Sequence, residues 1–280
     1  MTWSEIVHAV AGGNLCTLRL VVERPGSVRE YLSCCLRKFD ELRASGLPHR
    51  DPIAYLCEQG WGAVLPVDRV ELPTHLDLSG GIRLDELVIL ATATRVLRPR
   101  KIFEIGTYTG TATSVLILNA PADAAVVTLD LPSGSQPPDE AIDRHVYIDS
   151  DVDLVRRRRL GACLRELHLE GRYQQVLCDS LQFDPSPHRG SVELGFIDGA
   201  HALPYVRNDT VKMASMLADR GLVFWHDYGG KGRFRPLARY LETLAETIGI
   251  YRVSGTTLAW SPAPELRRLV STDGAGRRPS

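Results

Sequence analysis

The stretch FEIGTYTG, Phe103–Gly110, opens as a buried strand and closes as a glycine-spaced turn that still carries a carboxylate. From Lys101 onward, short apolar strands alternate with helical stretches: KIFEIG, TATSVLILNA, AAVVTLD, a polar and helical section to about Leu169, then YQQVLCD, VELGFID, PYVRNDTVKMASMLAD and GLVFWHD. Near-continuous apolar strands separated by helices predict a parallel sheet covered on both faces. The helix FRPLARYLETLAETIG follows, and IYRVSGTTLAWS reads as a closing antiparallel hairpin. In such sheets, ligands bind beyond the carboxyl ends of the strands, where the first strand-to-helix turn forms the usual floor.

Gly106 and Gly110 let the backbone of that turn approach a ligand without a Cβ in the way. Tyr108 replaces the second glycine of a G-x-G-x-x-G turn, the one that admits a pyrophosphate, and no Gly-Lys-Ser/Thr end marks a phosphate loop. Glu104 at a strand terminus repels phosphate but accepts hydrogen bonds from a cationic amine. Asp130, closing the next strand in VVTLDLP, stands where an acid accepts both hydroxyls of a ribose. Asp179 and Ser180, closing QQVLCDS, can receive the amino group of an adenine, with capping of the next helix as the alternative for Asp179. An amine, a ribose diol and a base together describe S-adenosylmethionine.

With these residues the chain resembles the class I S-adenosylmethionine-dependent methyltransferases, and among them the O-methyltransferase-like group whose glycine turn has an aromatic in the middle. The matching motifs are FEIGTYTG, TLDLP, LCDS, FIDGAH and VFWHDYG, in order between Gly80 and Ser261. The resemblance implies a Rossmann-like α/β fold with a seven-stranded, mostly parallel sheet in order 3-2-1-4-5-7-6. It carries Glu104, Gly106, Thr107, Tyr108 and Gly110 over to the methionine end of the cofactor, Asp130 and Leu131 to the ribose, and Asp179 with Ser180 to the adenine. Asp198 faces the cofactor as well.

Methyl transfer from a sulfonium is an in-line displacement, so the protein positions the acceptor and, for a hydroxyl, removes its proton. FIDGAH ends the fourth strand with Asp198 and His201, and FWHDYG ends the fifth with His226 and Asp227, so all four fall on one rim of the sheet. In metal-dependent catechol-type and caffeoyl-type relatives, the residue matching Asp198 binds magnesium, and a lysine base stands where this chain has His201. Imidazole titrates near neutrality and is suited to the same task. Asp227 matches their second metal-binding Asp, but Tyr228 replaces the Asn that follows it there. Catalytic roles thus fall to Asp198, His201 and His226, and Asp198 with Asp227 form a candidate Mg2+ or Mn2+ site. His8, His49, His75, His145, His168 and His188 read as surface or packing residues.

The formal net charge of -1 over 280 residues provides no global field for nucleic acid or an anionic membrane. The expected partner is a small hydroxylated acceptor, with neither nucleic acid nor membrane. No secretory signal or run of about 20 apolar residues is visible, which predicts a cytoplasmic protein. The six cysteines lack Cys-x-x-Cys spacing and read as small hydrophobes. The run Arg156–Arg159 reads as a solvated helix face, with an anion contact as the alternative.

Ahead of the sheet, SVREYLSCCLRKFDELRASG predicts a helix with a Ser27–Glu30 capping box, and DPIAYLCEQGW a second with Asp51 as N-cap, Pro52 at its start and Gly60 as its stop. IRLDELVILATATRVLRPR predicts a third with Leu84, Leu87, Val88 and Ala91 on its buried face. The expected division is a helical region over residues 1–75 that covers the acceptor or makes a homo-oligomer, a cofactor-binding domain over 76–265 and a mobile tail over 266–280. Two other functional classes fit the same motifs: a non-methylating enzyme of this fold, such as a hydroxylase-type component, and a cofactor-binding scaffold.

Overall fold

The structure, a computed structural model, describes residues 46–61, 69–74, 76–132, 135, 159–229 and 234–271. The helix expected from Ser27, the cysteines at 16, 34 and 35, and Arg156 to Arg158 lie outside them.

Helix α1, Pro52–Glu58, forms as its sequence dictates: Asp51 Oδ1 accepts from Ile53 N at 2.8 Å, Pro52 occupies the first turn, and Gly60 leaves at φ +63°. Helix α2 runs Leu84–Leu97 and stops before Pro99. Its buried side differs from the expected one. Leu84 and Val88 are exposed, while Glu86, Leu87, Leu90, Ala91 and Thr94 face inward. The helix is turned so that Glu86 reaches a buried polar cluster beneath the sheet rim, and the apolar stripe rotates with it.

The strands are β1 Lys101–Ile105, β2 Ala125–Asp130, β3 Gln174–Leu177, β4 Val192–Ile197, β5 Leu217–Trp225, β6 Tyr251–Arg252 and β7 Ala259–Pro262. They form a single sheet in the order β3-β2-β1-β4-β5-β7-β6, with β7 antiparallel to both its neighbours. Between them lie α3 Thr111–Asn119, α4 Ala162–Glu166, α5 Leu203–Met216 and α6 Arg235–Ala245, and α7 Ala263–Leu266 with α8 Arg268–Ser271 closes the described chain. Helix α5 ends at Met216 rather than Asp219, because β5 already begins at Leu217 and the β4–β5 register shifts between Val192 and Leu194.

Alternate residues of each strand feed two cores. Phe103, Ile105, Val127, Leu129 and Trp225 pack on one face with Met213 of α5 and Leu241 of α6. Ile102, Val126, Phe196, Phe224 and Trp260 pack on the other with Leu87 and Leu90 of α2 and Leu116 of α3. Burying both faces is what the uninterrupted apolar strands require. Residues ahead of the expected boundary at 75 also join these cores: Leu47 in the first, Tyr55 and Leu56 in the second. Past residue 265, Leu266 is buried and Leu269 and Val270 pack against the first core. Among the described residues, no helix is long and apolar enough to cross a membrane.

Candidate active site

An open cavity of about 1060 Å³, mouth included, lies at the carboxyl ends of β1, β2 and β4, at the point where the strand order reverses. Gly106, Thr107, Tyr108, Asp130, Leu131, Ser180, Asp198 and His201 line it, all residues singled out by the sequence. Glu104, Gly110, Asp179, His226 and Asp227 stand behind the wall.

The glycine turn is built by local strain and close contact. Gly106 adopts φ +101°, and a Cβ there would meet the Asp198 carbonyl oxygen at 2.0 Å, so this glycine lets β1 and β4 end side by side. Gly110 adopts φ +86° as the N-cap of α3, and its Cβ would meet Leu164 of α4 at 2.5 Å. The expected ligand contact at Gly110 is therefore replaced by helix packing. Tyr108 takes a left-handed φ of +48°, held by its N–H donating to Asp130 Oδ2 at 2.8 Å.

Glu104 was expected to meet the ligand amine directly; it lies instead wholly buried beneath the turn, because the inward face of β1 points it at α3. Thr113 and Thr128 donate to its Oε2, the latter at 2.5 Å, while Oε1 is buried with no hydrogen-bond partner. Burial pushes this carboxyl up to about 8 against the two threonine bonds, with Asp198 and Asp130 raising it further. Gln175 and Thr107 extend the network, Gln175 Nε2 donating to Thr107 Oγ1 at 2.9 Å.

Asp130 closes β2 at the cavity wall, with Oδ1 also accepting from Leu131 N at 2.7 Å. Asp179 is occupied by its own turn: Oδ1 accepts from Leu181 N at 2.9 Å and Oδ2 from the Tyr205 hydroxyl at 3.2 Å. Among the described residues no helix begins there, so the side chain closes an Asx turn rather than capping a helix, and Cys178 and Ser180 form the wall.

The rim carries the densest charge. His201 Nε2 lies 2.8 Å from Asp227 Oδ2, and its ring packs on Phe234 with centroids 4.0 Å apart. His226 Nδ1 lies 3.0 Å from Asp198 Oδ1 and 3.3 Å from Asp227 Oδ2. Its Nε2 lies 3.1 Å from Oε2 of Glu86, a residue the sequence reading passed over. Burial opposes a charge on His226, but the carboxylates of Asp198 and Asp227 outweigh it and hold the ring well above its ordinary range. Burial likewise opposes ionisation of Glu86, and the His226 contact with the Thr257 N–H and hydroxyl brings it below the usual carboxylate range. Asp227 is also held low, against burial, by His226 and His201. The expected catalytic residue His226 is therefore a buried cation beneath the cavity, clamped by carboxylates.

Asp198, His201 and Asp227 offer donor atoms within 4.8 Å of one another. Two carboxylates and an imidazole fit a hard divalent cation. Tyr228 adds nothing to that set: it is buried, its hydroxyl donating to Glu242 Oε1 at 3.0 Å and accepting from Leu47 N at 3.1 Å.

Residues 103–228 match the family described as a methyltransferase domain. Among solved structures, an SAH-bound methyltransferase of Podospora anserina is 13% identical over 85% of this chain and 94% of its own, with a TM-score of 0.48. A methyltransferase of Geobacter sulfurreducens is 15% identical over 76% and 88%, at 0.45. An O-methyltransferase of Streptomyces achromogenes involved in tomaymycin synthesis, in complex with SAM, is 15% identical over 76% and 89%, at 0.44. No curated protein matches the chain in sequence. Residues 103–228 thus match a methyltransferase domain, and the strand order around them is the one expected of the class I methyltransferase fold.

Proposed function

We propose that this chain is an S-adenosylmethionine-dependent O-methyltransferase acting on a small hydroxylated acceptor. The observation that carries the reading is one cavity with Asp130 at its wall for a ribose diol and Asp198 with His201 at its rim for an acceptor. The sulfonium, when bound, supplies an electrophilic methyl group. An acceptor hydroxyl held at the rim would give its proton to His201, which lines the cavity. Asp227 orients the His201 ring through Nε2 and stabilises the proton that the ring gains. His226 does not exchange protons in this scheme; it holds Asp198 and Asp227 in place by charge. The half-buried Asp198 carboxylate orients the acceptor at the rim.

Asp198 and Asp227, with His201 in reach, would hold Mg2+ or Mn2+, which would lower the pKa of an acceptor hydroxyl. Residues 1–75 are assigned to covering the acceptor or to an oligomer interface.

Calorimetry with S-adenosylhomocysteine and with NAD tests the cofactor: binding of the first alone is expected, and binding of NAD alone overturns the reading. A methyl-transfer screen over hydroxylated metabolites tests the acceptor class. Titration with Mn2+, followed by the paramagnetic resonance of the free ion, tests the metal, and an unchanged free signal for wild type removes it.

A further inference from the structure

Asp209 lies on α5, one turn beyond Tyr205, and both side chains face the cavity beside Ser180. It is 1% exposed and lines the cavity together with Cys178, Ser180, Gly199 and Tyr205. Nothing in the strand-end motifs points to it, since it falls in the polar run RND of a helix.

Its contacts fix its orientation. Oδ1 accepts from Asn208 Nδ2 at 2.8 Å, and the Ser180 hydroxyl is hydrogen-bonded to the carboxyl. Oδ2 stands beside the backbone of Gly199, 3.4 Å from where a Cβ would sit. Lys212, the nearest cation, is turned away and donates to the carbonyl oxygens of Ser180 and Leu181 at 2.6 and 2.9 Å. Those same bonds tie the loop after β3 to α5, so Ser180 and Asp209 form one rigid wall. Burial pushes the Asp209 carboxyl up to about 6, opposed by Ser180, Asn208 and Lys212. A carboxylate has about four lone-pair sites, so the bonds from Asn208 and Ser180 leave it capacity to accept from a ligand.

Leu131, Cys178 and Ser180 line the same cavity as Asp130, the residue proposed for the ribose. Asp179, the acid expected to read the adenine, is spent on Leu181 N and Tyr205. We infer that Asp209 is the residue that selects adenine, its carboxyl accepting a hydrogen bond from the exocyclic amino group at the Ser180–Gly199 end of the cavity. A base with a carbonyl in place of that amino group would set oxygen against oxygen in a buried site, and sites built to bond an amino group discriminate strongly against analogues lacking it.

This inference rests on the cofactor reading proposed above, and one competition series separates the two. Binding of S-adenosylhomocysteine and of S-inosylhomocysteine, which carries hypoxanthine, is measured for wild type and for Asp209→Asn. Wild type is expected to prefer the adenine compound at least about tenfold, as loss of one buried hydrogen bond to a charged group implies. In Asp209→Asn the carboxamide can present an N–H to the hypoxanthine oxygen, so the preference should shrink several-fold. Equal wild-type affinity for the two compounds, or an unchanged preference in a folded Asp209→Asn, overturns the inference and leaves the cofactor reading standing. Failure of wild type to bind either compound overturns both. Equal wild-type affinities would overturn the inference even if the variant does not fold.

Discussion

Glu86 Oε2 lies 3.1 Å from His226 Nε2, and both side chains are buried, joining the first turn of α2 to the end of β5 across 140 residues of chain. The same carboxylate accepts from Arg83 N at 2.9 Å through Oε2, and from Thr257 N and Oγ1 at 2.7 and 2.8 Å through Oε1. Removing it takes one of three carboxylates from a buried imidazolium and leaves three part-buried donors unmet. Breaking one side of a buried ion pair costs about 3–5 kcal/mol. Glu86→Ala is therefore expected to lower the denaturation free energy by at least that much in urea titrations. A loss under about 1 kcal/mol would mean that His226 is neutral in the folded protein.

Gly106 and Gly81 share a left-handed backbone but not their surroundings. Gly81 has φ +98° with nothing within 4 Å of a built Cβ, whereas at Gly106 that atom would meet the Asp198 carbonyl oxygen at 2.0 Å. Gly81→Ala should cost only the conformational penalty, about 1–2 kcal/mol. Gly106→Ala adds a collision between two strand ends and should leave little folded protein at 25 °C. Thermal melts of the pair separate torsional strain from steric overlap.

The pH dependence of stability has a definite sign at Glu104. Its carboxyl titrates near 4.5 when unfolded and is pushed up to about 8 by burial in the folded chain. Below about pH 4.5 both states hold the proton and the group contributes no slope. Between about 4.5 and 8 the unfolded chain releases it while the folded chain retains it, so folding stability falls as pH rises. Glu104→Gln removes that titration. The stability of wild type relative to the variant should decline across this window in denaturant titrations at successive pH values, and a flat difference would place the folded pKa near its unfolded one.

What the sequence disclosed and what it hid follow from the range of the interactions involved. Strand ends were legible because an apolar run, a glycine and an acid sit within a few residues, as in FEIGTYTG and FIDGAH, and the β-sheet order came with the family resemblance those motifs carry. Glu86 was not legible. In IRLDELVILATATRVL a glutamate in the first helical turn is the ordinary solvent-facing choice for the helix dipole, and only Thr257 and His226, brought close by the sheet, turn it inward. Glu104 was legible as a strand-end acid, but its depth was not, because the direction of one side chain depends on the pairing of β1 with β2 and the packing of α3. Asp179 illustrates a third case: the residue type suits a ligand and a turn equally, and Leu181 N, two residues away, is the nearer claimant.

Asp130 carries two loads, the backbone N–H groups of Tyr108 and Leu131 at 2.8 and 2.7 Å and, in the proposed complex, a ribose diol. Asp130→Ala should weaken S-adenosylhomocysteine binding by about 10–100-fold, the range for hydrogen bonds to a charged group. Asp130→Asn keeps one acceptor and should fall between the two. Calorimetry on all three gives the order directly, and equal affinities would take the ribose away from β2.

Asp227 combines strain with charge. It holds φ +63°, a region that Asn tolerates and Ala does not, while its Oδ2 lies 2.8 Å from His201 Nε2 and 3.3 Å from His226 Nδ1. Asp227→Asn removes the charge and keeps the backbone; Asp227→Ala removes both supports. Stability should therefore decrease from wild type to Asn to Ala, with a last step of about 1–2 kcal/mol from the backbone alone. Turnover should fall chiefly at the first step, since a neutral amide no longer stabilises a proton gained by His201. General-base catalysis is worth about 100–10,000-fold, so His201→Ala sets the floor that Asp227→Asn approaches. If Asp227→Asn keeps wild-type turnover while His201→Ala does not, His201 acts without its carboxylate, and Asp227 belongs to the architecture of the rim rather than to proton transfer.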